Sequence, residues 1–166
     1  MTTMEDYVQF LKQVRATTAI EALVPDESGL ATVRVDDAFN LNFQFAGTIG
    51  KILCFVEVAE LPQDAPASVY RDLLAAGLFG KDTAGGYFAL EPETGIVVYN
   101  YAFDLEPAAK DIPSFVSTLE KILQLADFWS THIKTGAAPA PSSAPPPDAS
   151  SSAFIPSALP SHFIRP

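Results

Sequence analysis

The sequence predicts an α+β domain in which a twisted, mainly antiparallel five-stranded sheet is flanked by helices. Two observations support this fold class: helical apolar patterns lie at both ends and near the middle of the chain, and five strand-like runs lie between them. The short links within these strand groups favour antiparallel pairing. The expected order of elements is therefore α-β-β-β-α-β-β-α. With 166 residues, 48% of them hydrophobic, the chain has apolar material for one packed core.

The first half of the chain is expected to supply one helix and three strands. A helix is predicted from Thr2 or Thr3 to about Ala16, since Thr2 and Glu5 have the spacing of a capping box. Its apolar residues recur at helical spacing: Tyr7, Phe10, Leu11 and Val14. Three strand-like runs follow, at residues 30–36, 41–45 and 51–58. Residues 52–56 are apolar on both sides, which predicts that the third strand lies at the centre of the sheet.

The second half is expected to supply a short helix, a hairpin and a long helix. Residues 68–78 form an apolar helical pattern that stops at Gly77 or Gly80. Residues 87–90 and 96–103 are predicted to pair through a turn that Pro92 and Gly95 favour. Asp111 can cap a last helix, whose apolar residues step alternately by four and three: Phe115, Leu119, Ile122, Ala126, Trp129 and Ile133.

The composition changes at the end of this helix. We predict a folded domain over residues 1–134 and a Pro/Ala/Ser-rich tail over 135–166 that has too few apolar side chains for a core and is expected to be disordered. Apolar residues nevertheless return near its end: Phe154, Ile155, Leu159, Phe163 and Ile164. Two interpretations are open, namely a disordered end with scattered apolar residues, or a linear motif that docks on its own domain or on a partner.

The charge excludes several classes of partner. The chain has 10 basic and 20 acidic residues, a net charge of −10 and a pI near 4.4. Phosphate backbones and anionic lipid surfaces would repel it, so we expect neither nucleic acid binding nor membrane insertion. The single cysteine, Cys54, lies in an apolar run and is expected to be a small buried hydrophobe. Together with the absence of a signal-peptide pattern, this predicts a cytoplasmic protein.

No catalytic residue, cofactor or metal ligand is predicted. The histidines are His132 and His162, and neither lies near a nucleophile motif. Paired acids occur at Asp36 with Asp37 and at Glu91 with Glu93, but both pairs lie in predicted turns, where solvated carboxylates are usual. We therefore do not expect an enzyme.

A three-part pattern in the middle of the chain points to a family. Residues 73–80 (LLAAGLFG) form a short apolar helix that ends near Leu-Phe; residues 82–90 (DTAGGYFAL) combine a threonine–glycine turn with an aromatic strand; residues 94–98 (TGIVV) begin an apolar strand after an acidic turn. This combination resembles the Tir chaperone (CesT-like) family of class I type III secretion chaperones, over roughly residues 4–133. Gly77 and the tail depart from the family pattern.

The resemblance implies a homodimer in which the middle helix packs against its symmetry mate. Carried over to this chain, the interface residues are Val69, Tyr70, Leu73, Leu74, Gly77 and Leu78. A helix that is apolar on more than one side can cover one face on its own sheet and the other on a second copy. The alternative is that the same residues are core of a single subunit.

The resemblance also implies a partner: the N-terminal segment of a secreted effector, bound as a largely extended chain without a cofactor. The candidate effector-binding residues are Tyr7, Phe10, Leu11, Val14, Val33, Val35, Phe43 and Phe45, although such positions are often simply core. Family membership would place the protein in the bacterial cytoplasm, with the secretion ATPase or sorting platform as a further partner. Two other classes remain open: a small α+β binding or regulatory module unrelated to secretion, or a structural adaptor that acts through its tail.

Overall fold

The computed structural model describes residues 2–135 and contains one five-stranded sheet with strand order β1-β2-β3-β5-β4, antiparallel throughout. The strands are β1 (Leu30–Val35), β2 (Phe39–Ala46), β3 (Lys51–Glu60), β4 (Tyr87–Leu90) and β5 (Ile96–Asp104). The helices are α1 (Met4–Thr18), α2 (Ala67–Ala76), α3 (Leu105–Lys110) and α4 (Ile112–Thr135), with a 3₁₀ turn at Leu78–Gly80 after α2. The predicted α+β fold class is confirmed.

The capping box of α1 lies one residue later than the sequence predicts. The Thr3 hydroxyl accepts a hydrogen bond from the Asp6 amide at 3.2 Å, and the Thr3 amide donates to the Asp6 carboxylate at 2.8 Å. The prediction of a Thr2–Glu5 box is therefore wrong, because two adjacent threonines each have an acid three residues later. The bonds from Thr3 hold the pKa of Asp6 below its ordinary value.

Strand β3 is central, as predicted, with β2 on one side and β5 on the other. Cys54 pairs with Phe43 and Tyr101, and burial raises the pKa of its thiol to about 12. Within residues 2–135 one face of β3 is covered more fully than the other, since Leu53 on the second face is 38% exposed and Phe55 is half-buried.

Helices α1 and α4 cover the buried face of the sheet through aromatic contacts. Phe115 of α4 lies 4.9 Å from Phe10 of α1 and 4.6 Å from Phe103 of β5, measured between ring centroids. Tyr7 stacks on Phe45 at 5.4 Å. These pairs fix the position of both helices on the sheet and leave a gap between them beyond the aromatic cluster.

Helix α3 was not predicted. It spans only Leu105–Lys110, so it is too short to show a helical period, and Pro107 lies inside it. Proline is tolerated there because the first turn of a helix needs no amide donor. Asp111 then caps α4 by accepting a hydrogen bond from the Ser114 amide at 3.0 Å, which confirms that part of the prediction.

Candidate binding surfaces

A groove opens between the end of α1, the β1–β2 edge of the sheet and the first half of α4, and we call it the α1–β1–α4 groove. Its volume is about 580 Å³. It is lined by residues of these elements and of the loop that follows α1: Val14, Thr17, Thr18, Ile20, Leu23, Val33, Val35, Leu41, Phe43, Pro113, Val116, Ser117, Leu119, Glu120 and Leu123. Most of these side chains are apolar, so the groove can take apolar side chains of a partner.

The few polar residues of the groove do little to change its apolar character. The hydroxyls of Thr17 and Thr18 donate to the carbonyls of Gln13 and Val14 at 3.0 and 2.8 Å, within their own helix. The charged lining residue is Glu120 on α4. The groove therefore offers an apolar wall and a carboxylate that a basic group can meet.

The groove lies beside an edge of the sheet. Among the described strands β1 pairs only with β2, which leaves its outer edge without a strand partner. Val33 and Val35 of β1 line the groove. Because an edge strand carries unpaired amide and carbonyl groups, an extended chain can hydrogen-bond there while its side chains enter the groove.

The structure divides the predicted effector-binding residues into two groups. Four line the groove: Val14, Val33, Val35 and Phe43. The other four are buried inside the subunit and do not line it: Tyr7, Phe10, Leu11 and Phe45. Tyr7 is fully buried and donates its hydroxyl to the Phe43 carbonyl at 3.2 Å, and burial raises the pKa of that hydroxyl well above its ordinary value.

Several residues that line the groove were not predicted from the sequence. Val116 and Leu123 flank the core stripe of α4, and Ile20 follows the end of α1. Helical periodicity identifies the stripe that faces the core, but it does not show how wide the gap to a neighbouring helix is. The only signal in the sequence was the excess of apolar residues in α4 beyond one stripe.

A second apolar surface lies on α2 and the 3₁₀ turn, and we call it the α2 surface. Its side chains project into solvent: Leu74 is 81% exposed, Leu78 63% and Phe79 97%. A contiguous exposed apolar patch of this kind usually marks a contact with another protein.

The predicted interface residues also divide. Leu74, Gly77 and Leu78 are exposed, and Tyr70 is half-buried. Val69 and Leu73 are buried within the subunit together with Ala76. Helix α2 thus uses one apolar face for its own core and leaves the other open. Phe79 is the most exposed of these residues, yet it was not among the predicted interface residues. It belongs to the Leu-Phe pair at which the short apolar helix was predicted to end.

The loop that carries Phe79 is held in place by contacts with Tyr99. Phe79 has a φ of 57° and Gly80 a φ of 65°, so the chain turns sharply after α2. The Tyr99 hydroxyl donates to the Thr83 carbonyl at 2.6 Å, and burial raises the pKa of Tyr99 to about 12. A Cβ on Gly86 would lie 2.2 Å from the Tyr99 oxygen, so glycine is required at that position.

Helix α2 is also tied to the last helix. His132 Nε2 of α4 lies 3.3 Å from the Asp72 carboxylate, and the imidazole is buried. The ring of Phe128 lies parallel to that imidazole, with 6.3 Å between centroids. His132 therefore contributes to packing between α2 and α4.

The acid pairs lie in turns, as predicted. The Glu91 carboxylate accepts hydrogen bonds from the Glu93 amide, the Thr94 amide and the Thr94 hydroxyl, which lower its pKa. Asp36 and Asp37 form the β1–β2 turn with φ of 49° and 52°. Within residues 2–135 no group of three or more His, Cys, Asp or Glu residues is placed to hold a metal ion. No helix in this part of the chain is long and apolar enough to cross a membrane.

Comparison with known proteins gives matches at the level of family and fold. A search of curated proteins finds no significant match. A chain of the ExsC–ExsE complex superposes with a TM-score of 0.66 at 18% identity, covering 80% of this chain and 97% of its own length. A chain of the HopA1–SchA chaperone–effector complex gives 0.59 at 18% identity, with 81% and 99% covered.

A third similar structure is that of the Yersinia pestis type III secretion chaperone SycH in complex with a fragment of YscM2. It gives a TM-score of 0.53 at 16% identity, covering 72% of this chain and 98% of the other. The sequence model of the Tir chaperone protein (CesT) family matches residues 9–130, which is most of the described domain. The chain therefore belongs to the Tir chaperone protein (CesT) family of type III secretion chaperones.

Proposed function

We propose that this type III secretion chaperone binds the N-terminal segment of a secreted effector in the α1–β1–α4 groove and keeps that segment soluble and ready for secretion. The observation that carries the proposal is the coincidence of an apolar groove with a strand edge that has no partner among the described strands. An unfolded segment has free backbone groups and exposed apolar side chains, and this site can satisfy both at once.

The groove is suited to an extended chain rather than to a small molecule. Its lining comes from two helices, two strands and the loop after α1, and its polar groups are few and do not converge on one point. A small-molecule site would need several fixed polar groups to orient its ligand. A chaperone site that has to accept varied side chains gains more from apolar width and from backbone hydrogen bonds.

We further propose that two copies associate through the α2 surface. Leu74, Leu78 and Phe79 leave a large apolar area uncovered in the single subunit, and a twofold contact would cover it with the same residues of the second copy. The α2 surface and the groove are built from different residues, so a dimer of this kind would keep both grooves open.

The acidity of the domain supports the same function. Residues 1–134 contain 9 basic and 19 acidic residues and so carry a net charge of −10. A charge of this size speeds the encounter with a basic segment more than it increases the final affinity. We place the protein in the bacterial cytoplasm, with the secretion ATPase or sorting platform as the partner that receives the loaded chaperone.

Co-purification of the full chain from its native cell tests this function. We expect a secreted protein to be recovered, with its N-terminal segment protected from protease in the complex. The same purification with Ser117→Trp, which places a large side chain at the exposed groove wall, should recover little of it. Recovery of no polypeptide, or of one protected only outside its N-terminal segment, would refute the proposal.

A further inference from the structure

We propose that the apolar segment at residues 154–164 of this chain docks in the α1–β1–α4 groove of its own domain when no client is bound. These residues lie outside the described part of the chain, and their sequence and the geometry of the groove support the docking. The inference rests on the proposed function in that it assigns a competitor to the same groove. It goes beyond that function because it makes the tail a regulator of client binding.

The segment has the chemistry that the groove requires. It brings five apolar side chains, Phe154, Ile155, Leu159, Phe163 and Ile164. Pro156 and Pro160 each fix one backbone dihedral and disfavour a helical conformation for Ile155 and Leu159, which suits a chain laid along a groove and lowers the entropy lost on docking.

The tail as a whole is neutral, with Asp148 and Arg165, but its basic residue adjoins the apolar segment. Residues 149–166 contain no acid and one arginine, Arg165, whereas residues 1–134 carry a net charge of −10. Glu120 is the charged residue in the groove lining. A guanidinium at the end of the docked segment can therefore meet a carboxylate on the groove wall.

The tail is long enough to reach the groove. The α4 residues that line the groove extend from Pro113 to Leu123, centred near Thr118. Thr118 lies 17 residues before Thr135, about 26 Å along the helix at ~1.5 Å per residue. The 18 residues from 136 to 153 have an r.m.s. span of about 21–25 Å as a flexible chain and about 56 Å when fully in polyproline II conformation.

Because the linker can span this distance, the tethered segment has an effective concentration on the order of 1 mM. If the segment alone binds with a dissociation constant of about 0.1 mM, the docked form of the chain is about ten times as populated as the undocked form. Weak contacts are therefore sufficient, and a client needs to be only moderately tighter in binding to displace the segment.

Crosslinking within the full chain tests the placement. Ser117→Cys on the groove wall is combined with Ser157→Cys in the segment, and a short bis-maleimide is added. The native thiol of Cys54 is buried, with its pKa raised to about 12, so it reacts slowly. The matched control replaces Ser117→Cys by Thr131→Cys, an exposed position on α4 that is nearer to the start of the tail.

Docking predicts a higher yield of intrachain product at Ser117 than at Thr131. A tail that does not dock would react more at Thr131, because Thr131 is only four residues before the end of α4. A higher yield at Thr131 than at Ser117 would therefore overturn the proposal. Products formed only between two chains would also overturn it, because they would assign the groove to the tail of a second copy.

A binding measurement gives an independent test. The probe is a fluorescent synthetic peptide of residues 150–166, and the protein is the full chain with Phe154→Ser, Ile155→Ser and Phe163→Ser. We expect the peptide to bind this variant about tenfold more tightly than the unmodified chain, whose own tail competes. Adding Ser117→Trp should abolish that binding, and equal affinity for the variant and the unmodified chain would contradict the proposal.

Neither experiment uses an effector. A failure to recover a client would count against the proposed function and leave the crosslinking result standing. Conversely, preferential reaction at Thr131 would remove the tail from the groove while the groove could still bind a client.

Discussion

Two regions of the domain present apolar surface, but they differ in exposure. At the β1 edge of the sheet, the α1–β1–α4 groove is concave, and most of its apolar lining is buried or half-buried. On the α2 surface the apolar side chains protrude into solvent, and Phe79 is 97% exposed. A groove encloses side chains of an extended partner, whereas protruding side chains need a preformed complementary face. This difference agrees with the two partners proposed above, an unfolded segment for the groove and a second folded copy for the α2 surface.

The largest effect is expected from charges on the α2 surface. Leu74→Asp combined with Phe79→Asp would place carboxylates in a twofold contact, where burying unpaired charges costs several kcal/mol. We expect the dimer affinity to fall at least a hundredfold, about 3 kcal/mol, in analytical ultracentrifugation. Because both side chains are largely exposed, the free energy of unfolding of the subunit should change by only about 0.5 kcal/mol.

Ile49→Asp is the matched control for that variant, since Ile49 is also exposed and apolar but lies in the β2–β3 turn. It should leave the solution mass unchanged. If the double variant kept the mass of the unmodified protein, the α2 surface would not be the dimer contact.

A smaller effect is expected from filling the groove. Ser117→Trp adds bulk at an exposed wall position and should weaken binding of the effector's N-terminal segment at least tenfold, about 1.4 kcal/mol, in calorimetry. The dimer should persist, because the groove and the α2 surface are built from different residues. Thr131→Trp on the same helix is the control and should bind normally; equal binding by both variants would show that the client lies elsewhere.

Two buried tyrosines, one next to a groove residue and one below the Phe79 loop, allow the two surfaces to be tested separately. Tyr7→Phe removes a 3.2 Å hydrogen bond to the carbonyl of Phe43, a groove residue, and Tyr99→Phe removes a 2.6 Å bond to the carbonyl of Thr83, below the Phe79 loop. Each should lower the free energy of unfolding by about 1 kcal/mol in urea titration. Tyr99→Phe should also weaken the dimer, whereas Tyr7→Phe should not. A weaker dimer for Tyr7→Phe but not for Tyr99→Phe would contradict the assignment of the α2 surface to the dimer contact.

The smallest effect concerns pH. The hydrogen bonds with Thr3 hold the pKa of Asp6 below its ordinary value, so its contribution to stability is present above that ordinary value and is lost as the pH falls through the lowered one. Asp6→Asn should therefore make the loss of unfolding free energy below about pH 4 shallower than in the unmodified chain. A steeper loss in the variant would contradict the role of this cap.

Most of the fold could be predicted from the sequence because the local signals agreed with one another. An apolar run on both sides identified the central strand β3, and Pro92 with Gly95 identified the hairpin turn between β4 and β5. Helix α3 could not be found in this way, because six residues do not show a period.

The groove could be predicted only in part. Val14, Val33, Val35 and Phe43 were candidates because they are apolar and periodic, yet Tyr7 and Phe10 have the same pattern and are core. Whether an apolar residue faces a gap or a neighbour depends on the distance between α1 and α4, which the aromatic cluster around Phe115 sets. A contact between elements distant in sequence leaves no local pattern.

Amide hydrogen exchange on the free chaperone carrying Phe154→Ser, Ile155→Ser and Phe163→Ser, whose tail no longer competes for the groove, and on the complex of that variant with the co-purified effector tests the division of the two surfaces most directly. We predict added protection in β1 and in the second half of α1 on client binding, with exchange in α2 unchanged, because the dimer contact is the same in both states. Added protection in α2 with none in β1 would contradict the assignment of the groove to the client.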